Sequence, residues 1–398
     1  MRWFRNILIM ITFCATCVLN AGAQVVENSR IEGTMLLTDL NAQIASTEML
    51  NSIYGYDFDK MEQCFAELKE EYGWHPMPYF LRGLAEWWKI EPNIENKAYD
   101  KRFLAYMDTS IALCKGIYKI DRTKVEASFF LAASHAFKGR LLGERKQWRK
   151  AATQARLALK YMEECYERSE MSPELLFGDG LYNYFVEWIP ENYAVLRPIM
   201  LFFRNGDKEK GIEQLREVAN NAFYTRTEAQ FFLLRILNLE GKHKAEVLRI
   251  TGYLHKLYPE NPVFHRYYAR ALYATGQHTE MKAACEEILQ KIDSASFGYG
   301  PNAGRYAAFF LGQYHEVRLQ FDKAKENYLR VLEFVKENGY YESGYHLYAL
   351  LSLEEMAARD GNKKEAEKYF KTIRKYAKRN HGAFKKGKKI WKKAKRSS

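Results

Sequence analysis

Proline is scarce, and the motifs that usually announce catalysis are missing. Nine prolines in 398 residues leave room for long helices joined by short connections, because each proline removes a backbone donor and interrupts regular structure. Nine histidines include no His-Glu-x-x-His and no His-x-His pair, so the usual zinc-hydrolase signature is absent. Beyond residue 23 there is no Cys-x-x-Cys and no Cys/His spacing of a structural zinc site. No Gly-x-Ser-x-Gly elbow occurs. Gly298, Gly300 and Gly304 lack a Walker lysine and a preceding strand, and no dinucleotide fingerprint follows Gly178-Asp179-Gly180. Motif-borne catalysis is therefore not expected, and no cofactor or metal is implied.

What is present is a soluble-protein composition with an uneven distribution of charge. Hydrophobic residues make up 47% and charged residues 28%, and 28 Tyr with 24 Phe exclude a disordered chain. The length allows two ordinary domains or one long solenoid. The net charge of +12 resides at one end: residues 363–398 hold sixteen Lys or Arg against Glu365 and Glu367, which leaves the rest nearly neutral. Arg2 and Arg5, the apolar residues 7–19 and the small residues Ala21-Gly22-Ala23 read as a cleaved secretory signal over 1–23. The expectation is an exported protein, periplasmic or attached to a bacterial envelope. Neither Cys14 nor Cys17 has the small preceding residue of a lipoprotein signal. Cys64, Cys114, Cys165 and Cys285 would remain, each beside apolar residues on an amphipathic helix, which suggests buried thiols although pairing is chemically open.

The organising stretch is 228–293, where two helical hairpins repeat at a 34-residue spacing and open at Glu228 and Pro262. Phe231 aligns with His265, Leu234 with Tyr268, Val247 with Met281, Thr251 with Cys285 and Leu254 with Ile288. The second helix of each hairpin carries a small or apolar residue, then an aromatic or apolar one four later, then an aliphatic or small one three later. That triplet recurs as Met61-Phe65-Leu68, Ala151-Ala155-Ala158, Gly211-Leu215-Val218, Val247-Thr251-Leu254, Met281-Cys285-Ile288, Ala324-Tyr328-Val331 and Ala366-Phe370-Ile373. Positions i, i+4 and i+7 share one stripe of a helix, and that stripe must bury against a partner. First helices are expected at 79–90, 124–138, 228–239, 263–274, 305–319 and 342–359. Further helices are expected at 30–53, with Ile31, Met35, Leu36, Leu40 and Ile44 as its apolar stripe, and at 96–118. The apolar block 175–204 reads as two buried helices broken at Pro190, with a docking surface as the rival reading.

This period, with Leu311-Gly312, His315, Ala324 and Tyr328 as its fullest instance, resembles the tetratricopeptide (TPR) repeat. The block 175–204 and the following Gly206-Asp207 to Gly211 turn are similar, over 175–235, to the eukaryotic inclusion-body clearance TPR family. The resemblance implies an all-α, right-handed α-solenoid of stacked antiparallel hairpins: a divergent helical region at 24–225, a regular array at 226–378 and a basic tail at 379–398. It also implies a concave groove lined by Phe232, Ile236 and Leu239, by Arg266, Arg270 and Tyr273, and by Tyr306, Phe309, Gln313 and Glu316. Arginines beside aromatic rings suit an extended peptide or an acidic group. In the family's chaperone-binding members a Lys/Asn clamp holds a peptide C-terminus, and Arg270 and Gln313 stand at the Asn positions here. The expected function is a non-enzymatic protein-interaction scaffold, with a surface carrier of a glycan or other small ligand as the alternative. The tail, with Lys385, Lys386, Lys388, Lys389, Lys392, Lys393 and Trp391, suits an anionic envelope surface. A nucleic-acid partner is not expected in that compartment.

Overall fold

The computed structural model describes residues 35–396 apart from 122–124, 167, 169–171, 195–196, 202, 224 and 242. The expected leader at 1–23 lies outside them. The described residues are helical, with no strand among them. Two compact units result. Met1–Ile53, Asp57–Trp87 and Asp100–Leu233 belong to the first, and Tyr54–Tyr56, Trp88–Tyr99 and Leu234–Ser398 to the second. The division near the middle of the chain thus falls after Leu233, inside a helix, whereas the sequence suggested a boundary at 225/226.

Wholly or mostly in the first unit lie α1 (Leu40–Tyr54), α2 (Phe58–Tyr72), α3 (Pro76–Ile90), α4 (Asp100–Ile120), α5 (Val125–Glu144), α6 (Trp148–Cys165), α7 (Pro173–Asn192), the single turn α8 (Arg197–Met200) and α9 (Lys208–Asn221). The helix α10 (Arg226–Glu240) spans the division. Here α4 packs on α5, α5 on α6, α6 on α7, and α7 on α9.

Two expectations need correcting here. The first helix among the described residues starts at Leu40, where the Asp39 carboxylate accepts from the Ala42 N–H at 2.8 Å and caps the turn, and Ile31 lies outside the described residues. The face that packs inward carries Ala42, Ser46, Met49, Leu50 and Ile53, while Leu40 and Ile44 are 59% and 54% exposed. Nor does Pro190 break the block 175–204. A proline in the last turn forfeits one backbone bond, so α7 continues to Asn192 and closes with Tyr193 N–H on the Ile189 carbonyl at 2.8 Å. Burial is confined to the earlier part of α7, from Glu174 to Val186, whereas Tyr193 and Leu201 are exposed. The glycines around this block have a packing reason. A Cβ on Gly211 would lie 2.7 Å from the Gly180 carbonyl, and one on Gly180 would lie 3.1 Å from the Gly211 carbonyl, so α7 and α9 cross at backbone contact.

The second unit runs through α11 (Lys244–Leu257), α12 (Pro262–Ala274), α13 (His278–Asp293), α14 (Pro301–Val317), α15 (Phe321–Asn338), α16 (Gly344–Arg359), α17 (Lys363–Tyr376) and α18 (Gly382–Arg396). Starts are set by caps: Asn261 accepts from the Val263 and Phe264 N–H groups, Ser343 from His346, and Asn362 from Glu365. Each helix from α11 to α18 packs on the next, and α12 also packs on α14, α14 on α16, and α16 on α18. The Gly298 insertion is a loop between α13 and α14, with Asn302 donating to the Pro92 carbonyl at 3.0 Å.

The recurring triplets are the buried stripes of α2, α6, α9, α11, α13, α15 and α17. Every member is buried except Phe65, Ala151 and Ala155. Gly312 faces the Tyr328 ring so closely that a Cβ there would come within 2.5 Å of it. Cys64, Cys114, Cys165 and Cys285 are free and buried. Burial pushes the Cys165 thiol up to about 12, which leaves it unreactive near neutrality.

Candidate functional site

The clearest polar constellation of the second unit forms where α12, α14 and α16 carry arginines and tyrosines along one another. Arg266, Arg270 and Tyr273 follow at helical spacing on α12. The Tyr273 ring stacks on Phe310 at 4.2 Å, and Tyr306 meets Tyr345 of α16 at 4.6 Å. Arg305, at the start of α14, is the central cation. Its guanidinium lies 4.9 Å from the Tyr306 ring and 4.4 Å from the Tyr340 ring, and Arg266 reaches the Tyr306 ring at 5.9 Å.

Arg305 is 9% exposed, and its Nε has no hydrogen-bond partner. Among the described residues no carboxylate pairs with Arg266, Arg270 or Arg305. Burial, reinforced by the charge of Arg266, shifts the Arg305 pKa down. A buried cation beside a second cation is electrostatically costly unless an anion joins it. The set can therefore offer several guanidinium N–H donors and flat ring faces to one anionic group.

The groove residues expected from sequence divide into four groups. Arg266, Arg270, Tyr273 and Tyr306 come together in this patch. Ile236 and Phe309 are buried, 1% and 7% exposed, and serve the core rather than a surface. Gln313 and Glu316 are turned to internal work: Gln313 Nε2 donates to the Tyr328 hydroxyl at 2.7 Å, while Glu316 accepts from Tyr328 and, at 3.1 Å, from Ser352. Burial and then the Glu316 carboxylate hold Tyr328 far above the ordinary tyrosine range. Phe232 belongs to the first unit, and Leu239 is exposed. Sequence reasoning passed over Arg305 and Tyr345, whose signal was the arginine one position before Tyr306 and a tyrosine at the start of α16.

Phe232 instead lines a cavity of about 720 Å3 in the first unit, where its ring packs on Phe177 at 5.8 Å. Aromatic walls come from residues such as Phe80, Phe137, Phe185 and Trp188. The space exists because facing positions on α5 and α6 are small, among them Ala133, Ala136, Ala151 and Ala155. Polar groups in the lining are few and come from residues such as Ser46, Arg140, Tyr193, Thr225 and Glu228. Such a lining suits an apolar ligand.

The basic tail is a docked helix. In α18 Ala383 is fully buried, Phe384 and Ile390 pack on the core, and Trp391 stacks on Phe370 at 5.6 Å. Gly387 lies over the Glu354 carboxylate, which is fully buried, lacks a hydrogen-bond partner on either oxygen and is pushed up to about 8 by burial. Lys385, Lys386, Lys388, Lys389, Lys392 and Lys393 are exposed. Trp391 therefore anchors the helix, and the lysines form its outer face. The described residues also contain a set of metal-type donors, His255, His265 and Glu287. No known family model matches the chain, and no curated protein matches it.

Proposed function

We propose that the chain is a TPR-like right-handed α-solenoid acting as a non-enzymatic interaction scaffold of the bacterial cell envelope. Its partner is a protein that offers an extended, acidic segment to Arg266, Arg270 and Arg305. The observation that carries this reading is the unneutralised arginine set among tyrosines, since a buried guanidinium with an unpartnered Nε favours an anionic occupant. Supporting the solenoid is the packing of α12 on α14, α14 on α16, and α16 on α18. First helices that touch both their own partner and the next first helix are how stacked hairpins form a continuous core. Export rests on the leader-like residues 1–23, and the outer lysines of α18 suit an anionic envelope surface.

Crosslinking in the native envelope tests the reading. It should recover a defined protein that is lost from Arg266→Ala and Arg270→Ala variants of normal stability. Recovery of the same proteins by wild type and variants would sink it.

The cavity of the first unit favours a second reading, a carrier of a small apolar ligand with an aliphatic chain. Its volume lies in the range of small-molecule sites, and its lining is almost entirely hydrocarbon. A fluorescent fatty-acid probe should bind saturably, be displaced by unlabelled fatty acid, and bind less when Ala155→Leu fills the space. A probe that never saturates would remove this reading.

A further inference from the structure

We propose that His255, His265 and Glu287 bind one late first-row divalent metal ion, Zn2+, Co2+, Ni2+ or Cu2+, and that the ion ties three successive helices of the second unit together. The residues stand at the end of α11, in the first turn of α12 and in the middle of α13. One ligand atom of each lies within 4.8 Å of the others. Imidazole nitrogen and carboxylate oxygen are the donors that this group of ions prefers, and three protein ligands with a fourth place left to water is a common arrangement.

The state of the two rings carries the argument. His265 is completely buried, and its Nε2 has no hydrogen-bond partner although it lies 3.9 Å from Glu287 Oε2. Its other nitrogen is engaged. The Tyr299 hydroxyl donates toward the Pro259 carbonyl at 3.4 Å, so its oxygen is left to accept from His265 Nδ1–H at 3.1 Å. In that tautomer Nε2 presents its lone pair, the arrangement that second-shell partners give metal-bound histidines, and the Ala284 backbone also faces the ring. His255 Nδ1 is also buried without a partner. The two rings stack at 4.2 Å and Tyr268 covers the other face of His255 at 5.1 Å, so the His255 ring must turn out of this stack for both nitrogens to point at one ion.

Lys291 is the charge that opposes a cation here. It contacts Glu287 Oε1 at 3.4 Å, but it is held more closely by Glu260 at 2.8 Å and by the Pro259 carbonyl at 3.1 Å. Those two contacts survive when Glu287 turns to a metal. Bonds of about 2.0–2.2 Å in a tetrahedral site bring ligands to roughly 3.3–3.6 Å from one another. The present spacing is wider, so binding draws Glu287 and His255 inward, and both side chains have the surface access to move.

Cobalt titration of the full chain tests the site, because Co2+ in a four-coordinate nitrogen/oxygen site gives visible d–d bands. Wild type should saturate at one ion, Zn2+ should displace it, and Zn2+ should raise the Tm. His255→Gln and Glu287→Gln should each weaken binding at least about tenfold, with unchanged circular dichroism, and His278→Gln on the exposed start of α13 should bind as wild type. His265 is too deeply buried to serve as the test variant. Absence of saturable binding, or equal affinity in wild type, His255→Gln and Glu287→Gln, would overturn the proposal.

Discussion

The stripes of α15 and α6 follow one pattern, yet they end in different interiors. On α15, Ala324, Tyr328 and Val331 are all fully buried, and the tyrosine ring fills the crossing against Gly312. On α6 the stripe is Ala151, Ala155 and Ala158, and the first two remain half-buried on the wall of the apolar cavity. The repeat spacing decides that two helices cross. The middle residue decides whether the crossing is filled, and Ala155 is the smallest middle residue among the seven stripes. A period that is purely structural in one unit thus becomes a container in the other through missing side-chain volume.

Four variants break or sharpen that contrast. Tyr328→Ala should have the largest effect, a loss of about 3–5 kcal/mol in urea unfolding, because it opens a cavity at Gly312 and strips Gln313 and Glu316 of their shared hydroxyl. A loss below about 1 kcal/mol would show that the crossing on α15 is no tighter than that on α6. Next comes Glu354→Gln, beneath α18. Folding holds the Glu354 proton up to about pH 8, while the unfolded chain releases it near the ordinary value of 4.5. The folded state therefore binds more protons over that window, and this group's contribution to stability falls as pH rises. Glu355 is shifted in the same direction. The buried His265, lowered to about 3, works oppositely at lower pH, so the variant must be compared with wild type across the range. Its Tm should exceed that of wild type at pH 8 by an amount equivalent to roughly 3 kcal/mol, and converge toward pH 5. Parallel curves would remove the buried acid as their cause.

A smaller effect is expected for Ala155→Leu, which adds bulk where there is room. Stability should change by less than about 1.5 kcal/mol, while binding of an apolar probe drops. A cost like that of overpacking a filled core would mean the cavity is closed in solution. Smallest in stability is the joint replacement of Lys385, Lys386, Lys388 and Lys389 by Gln. Exposed lysines on an outer helix face should leave unfolding within about 0.5 kcal/mol but reduce sedimentation with anionic vesicles. Unchanged sedimentation would leave α18 with a packing role alone.

Much of the helical architecture is legible in the sequence because a buried stripe leaves a period, and the period survives from α2 to α17. Ends of elements are less legible where a cap or a late proline settles them. Asp39 set the start of α1, and Pro190 fell where a helix could tolerate it. Sites fare worse. Arg266, Arg270, Tyr273 and Tyr306 can be placed by register, but Arg305 owes its importance to burial and to Tyr340 from the loop after α15, neither of which a periodic pattern encodes. Glu354 looks like any helix-surface acid until α18 covers it. The cavity is invisible for a related reason: a run of alanines signals close packing as readily as empty space.

The central claim is that the second unit holds an acidic segment on its arginines. Fluorescence anisotropy with glutamate-rich and lysine-rich peptides of equal length measures it directly, using wild type and the Arg266→Ala/Arg270→Ala double variant. Preferential binding of the acidic peptide, weakened at least about tenfold in the double variant and by added salt, is the predicted result. Equal binding of both peptides, or an affinity indifferent to the two arginines, would contradict the account.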